Sequence, residues 1–117
     1  MLDLLSNRHP EPSLQIPADP ARIYNTSVLL DRHGITTGVY RKIHLFDLNL
    51  PTVQLMESKT AAAGNELIVV DHEVGKLGMS ICYDIRFPAM YQKYVSTFPC
   101  SADSLAYICL CISVAGS

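Results

Sequence analysis

The run Lys76-Leu77-Gly78-Met79-Ser80-Ile81 is mostly apolar and ends abruptly on Cys82. It gives way at once to Tyr83-Asp84-Ile85-Arg86, with Phe87-Pro88 beyond. A short apolar run closed by a polar turn predicts a buried strand. Pro88 is preset for the first turn of a helix, which is predicted over roughly Ala89 to Val95. A strand that stops this way presents its last side chain at the rim of a sheet, within reach of a substrate.

A thiol becomes a nucleophile at neutral pH only beside a cation or base. Forty residues upstream of Cys82 stands Lys42, in the dense cluster Tyr40-Arg41-Lys42-Ile43-His44-Leu45-Phe46-Asp47. Lys42 is the candidate cation. On the residues alone, Cys82 reads first as an inert core cysteine, ahead of a catalytic one, and Lys42 as a solvated charge beside Arg41.

The rest of the chain supplies a setting for these two segments. Pro10, Pro12, Pro17 and Pro20 make residues 1–20 a loose lead-in. Ile23 to Leu30 and Ile35 to Tyr40 read as strands joined at Asp31-Arg32-His33-Gly34, a hairpin with Gly34 suited to positive φ. Residues 41–66 form a long connection carrying Lys42 and Glu57. Such connections in compact domains are functional or disordered. Glu66 to Asp71 and Lys76 to Cys82 read as strands around the turn His72-Glu73-Val74-Gly75, with His72 facing solvent. Leu105 to Val114 has the β-branched look of an inner strand.

The wording of these segments resembles the nitrilase (carbon-nitrogen hydrolase) superfamily. The resemblance rests on Tyr40 to Asp47 and on Ile81-Cys82-Tyr83-Asp84-Ile85-Arg86-Phe87. Met56-Glu57-Ser58-Lys59-Thr60, Ala63-Gly64 and Ile23-Tyr24-Asn25-Thr26 add to it, in the right order. It is similar above all to the omega-amidase branch. The resemblance covers about residues 21–95 and implies an α/β fold, part of a four-layer αββα sandwich. It also implies cofactor-free hydrolysis, without a metal, of a non-peptide carbon-nitrogen bond. The expected substrate is a small dicarboxylate monoamide of the alpha-ketoglutaramate type. Deaminated glutathione is the nearest competitor.

Cysteine-based amide hydrolysis needs an attacking thiolate, fixed donors for the oxyanion, and a group that carries the thiol proton to leaving ammonia and then activates water. By resemblance Cys82 is the nucleophile, forming a thioester. Lys42 is the catalytic cation, and Glu57 the supporting glutamate near the substrate. The backbone N–H of Tyr83 and the Lys42 ammonium would face the oxyanion. Arg86 would either pair with Asp84 to hold the turn or meet a substrate carboxylate, to which a guanidinium is suited.

The chain also departs from that pattern. The family places its principal general base, a glutamate, well upstream of the lysine. Glu11 is the only glutamate before Lys42, and its neighbours Pro10 and Pro12 do not resemble that motif. The Pro51 to Leu55 stretch is one residue short. The family's Glu-Leu after the proline is replaced by Ala89-Met90, and from Ser96 the match ends. The expected organisation is therefore a Pro-rich lead-in at 1–20, a partial carbon-nitrogen hydrolase domain at 21–95 and a divergent tail at 96–117. Part of a sandwich exposes apolar surface and open strand edges. Association with a second copy or with a full-length amidase is expected on that ground, and a catalytically dead chain with only that role is the alternative function.

Other classes fit poorly. A hydrophobic content of 49% and a net charge of −2 exclude disorder and give no basic surplus for nucleic acid. The N-terminal ten residues have no basic leader, and Leu105 to Ala115 is shorter than the roughly 20 residues of a membrane helix. Cys100, Cys109 and Cys111 crowd the end of the chain while Cys82 stands apart, a poor disulfide framework. A reducing compartment is expected, the cytoplasm with the mitochondrion as alternative. Cys109-Leu110-Cys111 lacks a second half for a metal site. His44 as the base of a Cys-His protease has no protease signature around Cys82. A redox-sensor role for Cys82 is a further alternative.

Overall fold

The computed structural model describes residues 18–73 and 75–97, and the backbone of 106–111. The proline-rich lead-in up to residue 17 and the side chains of Cys100, Cys109 and Cys111 lie outside the described residues.

The first hairpin forms as its turn chemistry requires. Strands β2 (Thr26–Leu30) and β3 (Thr36–Arg41) pair antiparallel, with an irregularity at Leu29/Leu30. Asp31 Oδ1 accepts the N–H groups of His33 and Ile35, and Gly34 takes a φ of 78°. The predicted strand at 23–30 is broken at Asn25. Its first piece, β1 (Ile23–Tyr24), pairs parallel with β6 (Ala61–Ala62) instead. The connection at 41–66 is not structureless: β4 (Asp47–Asn49) and β5 (Gln54–Met56) make a small hairpin, followed by a 3-10 turn at Glu57–Lys59.

The centre of the molecule is β8 (Gly75–Ile81), whose residues 77–81 are all buried. It pairs antiparallel with β7 (Val69–His72) and parallel with β9 (Ala106–Cys111). Helix α1 (Pro88–Thr97) is the crossover between the parallel strands, as a parallel pair demands. β9 therefore lies at one end of this sheet among the described residues, not inside it. His72, expected to face solvent, is half-buried.

Alternation along β8 sends residues 78 and 80 to one face and 77, 79 and 81 to the other. α1 covers the first face. A Cβ on Gly78 would stand 3.0 Å from the Tyr94 ring, and Tyr91 Oη donates to Ser80 Oγ at 3.1 Å. The β2–β3 hairpin covers the second face, where Gly38 lies against Val70 and Met79. The fold is thus α/β, with helix, sheet and second sheet in layers. Its core is Tyr40, Val70, Met79, Ile81, Met90 and Tyr94. Burial holds the Tyr94 hydroxyl protonated, its pKa pushed up to about 12.

Candidate active site

β8 ends at Ile81, so Cys82 is not the last strand residue but the first of a 3-10 turn, Cys82–Arg86. Cys82 has a φ of 46°, the one non-glycine residue with positive φ among the described residues. That conformation is disfavoured for any side chain with a Cβ and persists only where the surroundings over-determine it. Its thiol is free and the residue exposed. A buried strand thus lifts one side chain out of the sheet on a sharp, strained bend.

Asp84 fixes the bend. It is fully buried, and its two oxygens accept four donors. Oδ2 takes the Ile81 N–H at 2.9 Å and the Tyr40 hydroxyl at 2.7 Å. Oδ1 takes the His44 N–H at 3.0 Å and stands 2.7 Å from His44 Nδ1. A carboxylate only accepts, so His44 Nδ1 acts as donor. Burial, and then the Asp84 carboxylate, drive the Tyr40 hydroxyl far above its ordinary pKa. Aromatic rings continue the seam: His44 stacks on Phe87 at 3.6 Å, and Tyr83 meets Phe46 and Phe87 edge-on at 5.0 and 5.3 Å. The thiol turn and the lysine segment are one packed unit.

Lys42 leaves the end of β3 with its N–H on Asn25 O and its carbonyl accepting the Gly64 N–H, both at 2.8 Å. Gly64 is required there, because a Cβ would fall 2.3 Å from Arg41 O. The Lys42 side chain is only 3% exposed and Nζ donates to Glu57 Oε2 at 2.6 Å. A buried ammonium needs such a partner to offset its lost hydration. Glu57 is itself held by Phe46 N–H at 2.7 Å and Asn25 Nδ2 at 3.1 Å. Burial pushes the Glu57 carboxyl up, but the donors Lys42, Phe46 and Asn25 together outweigh it and hold it below the ordinary carboxylate range.

The structure therefore brings Lys42 and Glu57 into contact and packs their segment against the Cys82 turn. Tyr83 lies in that turn, half-buried. The expected Asp84–Arg86 pair does not form: among the described residues Asp84 holds Tyr40, His44 and Ile81, and Arg86 is exposed. Asn25 and Tyr40, expected as plain hairpin residues, are a Glu57 ligand and an Asp84 ligand, and His44 is an Asp84 ligand too. The signal for Asp84 was in the sequence. An acid three residues past the end of a strand can accept the N–H of the residue that ends it, as Asp84 does with Ile81; isoleucine has no side-chain acceptor, so only this half of a capping box forms. A separate shallow pocket lies along Tyr24, Arg41, Gly64 and Glu66, with Arg41 set over the Tyr24 ring, and includes neither Cys82 nor Lys42. Among the described residues no cluster of His, Cys, Asp and Glu could hold a metal, and no helix is long and apolar enough to cross a membrane.

Comparison with known proteins gives the class. The carbon-nitrogen hydrolase family model matches residues 8–96. The chain belongs to the carbon-nitrogen hydrolase family. It is 52% identical over 71 residues to a deaminated glutathione amidase of Dictyostelium discoideum, covering 59% of this chain and 24% of that protein. It is 43% identical over 76 residues to the chloroplastic omega-amidase of Arabidopsis thaliana, covering 64% of this chain and 21% of that protein. The crystal structure of the Caenorhabditis elegans NitFhit protein matches 65% of this chain and 19% of its own, at 49% identity and a TM-score of 0.56. The fold is accordingly of the nitrilase type, in part. The chain spans about a quarter or less of the length of these relatives.

Proposed function

We propose that this chain carries the nucleophile and the lysine–glutamate pair of an amidase acting on a small carboxylate-bearing amide, through a Cys82 thioester. The observation that carries the reading is the strained, exposed Cys82 on a turn locked to the segment that holds buried Lys42. In this reading the Cys82 thiolate adds to the amide carbonyl. The Tyr83 N–H and the Lys42 ammonium steady the oxyanion, the C–N bond breaks to release ammonia, and water then frees the acid. Glu57 orients Lys42 rather than taking the thiol proton, since three donors hold its carboxyl and lower its basicity. The proton carrier is a further carboxylate, contributed from within this chain or by a second copy of it.

The substrate is a dicarboxylate monoamide of the alpha-ketoglutaramate type. The 52% identity to a protein named for deaminated glutathione supports that compound as the second candidate. The test is ammonia release from each compound by the purified chain, beside Cys82→Ala. Turnover lost in Cys82→Ala supports the reading. Silence from both, with a full-length relative active in the same assay, overturns catalysis by this chain and leaves it an incomplete or degenerate amidase; co-purification with a full-length amidase would then favour the associating role.

A further inference from the structure

Resting on that reading of Cys82, we propose that Asp84 is the positioning residue for the nucleophile, acting through His44. Cys82 lies between Ile81 and Asp84 in sequence, and the Asp84 Oδ2–Ile81 N–H bond closes a loop around it. A residue at φ 46° relaxes unless both flanks are fixed, and this bond fixes one against the other. The remaining acceptors of Asp84 reach out of the turn, to the Tyr40 hydroxyl at the end of β3 and to both donors of His44. Lys42 lies between those two residues. One buried carboxylate thus sets the pose of the thiol turn and ties that turn to the backbone on either side of the lysine. His44 is the adjustable half of the tie: it is partly exposed, and its ring donor meets an oxygen that the Ile81 bond does not use. The thiol therefore depends on a hydrogen-bond donor at residue 44, although His44 is itself neither nucleophile nor base.

The test compares His44→Asn with His44→Leu in the full chain. Both lose the stack on Phe87. Only asparagine keeps a donor near the place of Nδ1. The readout is the rate at which iodoacetamide alkylates Cys82 at pH 7, followed on the Cys82 peptide by mass spectrometry, in the folded chain and in denaturant. Wild type is expected to react faster folded than denatured. His44→Leu is expected to lose about tenfold of the folded rate, with His44→Asn recovering most of it, on the scale by which small misplacements reduce reactivity. Asp84→Asn, where circular dichroism shows it folded, behaves like His44→Leu. Equal folded rates in wild type, His44→Leu and His44→Asn overturn the positioning role. So does an equal loss in both variants, which would assign the effect to the lost stack. A wild-type thiol no faster folded than denatured instead removes the activated-nucleophile reading beneath it, so the two failures are told apart.

Discussion

Lys42 Nζ and Glu57 Oε2 are 2.6 Å apart, and the lysine side chain is 3% exposed while the glutamate is 21% exposed. The pair is asymmetric: the cation is almost wholly buried and the anion has some access to water. Removing the anion therefore leaves a nearly buried charge without its partner.

Glu57→Ala should lower stability by about 3 kcal/mol, the scale for stripping one partner from a buried ion pair. Adding Lys42→Met should recover part of the loss, because the stranded charge goes with it. Urea denaturation of the two variants measures this. No recovery would assign the loss to the bonds Glu57 makes with Phe46 and Asn25.

The same carboxylate makes stability depend on acid in a defined sense. Its folded pKa lies below its ordinary value of 4.5, so the folded state favours the ionised form. The stabilisation is complete above about pH 5 and is lost as pH falls through 4.5 toward the lower folded value. A denaturation series from pH 7 to pH 3 should show the slope in wild type flatten below pH 5 in Glu57→Gln. An unchanged acid slope would contradict the linkage.

Cys82 should be more stably replaced by glycine than by alanine. Both remove the thiol, and only glycine is at ease at φ 46°. The difference should be about 1 kcal/mol in favour of Cys82→Gly, the usual scale for one left-handed residue. Equal stabilities would mean that the bend relaxes once the thiol is gone.

Gly64→Ala should destabilise by about 2 kcal/mol, since the new methyl would overlap the Arg41 carbonyl and displace the N–H that Gly64 gives to Lys42 O. Gly34→Ala meets open space and costs only its φ of 78°, about 1 kcal/mol. Thermal melts of the two should rank Gly64→Ala lower.

What was legible in the sequence was what short-range chemistry decides. Asp31 and Gly34 announce their hairpin, Gly75 its turn, Pro88 its helix, and the apolar run to Ile81 its strand. What was hidden lies between residues far apart in the chain. Asn25 reaches Glu57 across 32 positions, and Tyr40 and His44 reach Asp84 across 44 and 40. No periodicity reports such pairs. A pair of Asp84 with Arg86, one of two alternatives for Arg86, rests on their nearness in sequence, whereas in space the buried Asp84 oxygens face Tyr40, His44 and Ile81. The break at Asn25 escaped for the same reason, as Ile23–Tyr24 answers to Ala61–Ala62 rather than to its own continuation.

β8 is paired with β7 at residues 75–78 and with β9 at residues 76–81, and is covered on both faces before it delivers Cys82. Strands so enclosed exchange their amide hydrogens only when the whole molecule opens. The Ile81 amide, donated to Asp84 one residue before the thiol, should be among the last to take up deuterium. The pose of the thiol and the integrity of the core should therefore fail together as denaturant is added, so that a covalent label on this one sulfur would read out the folding equilibrium of the entire domain.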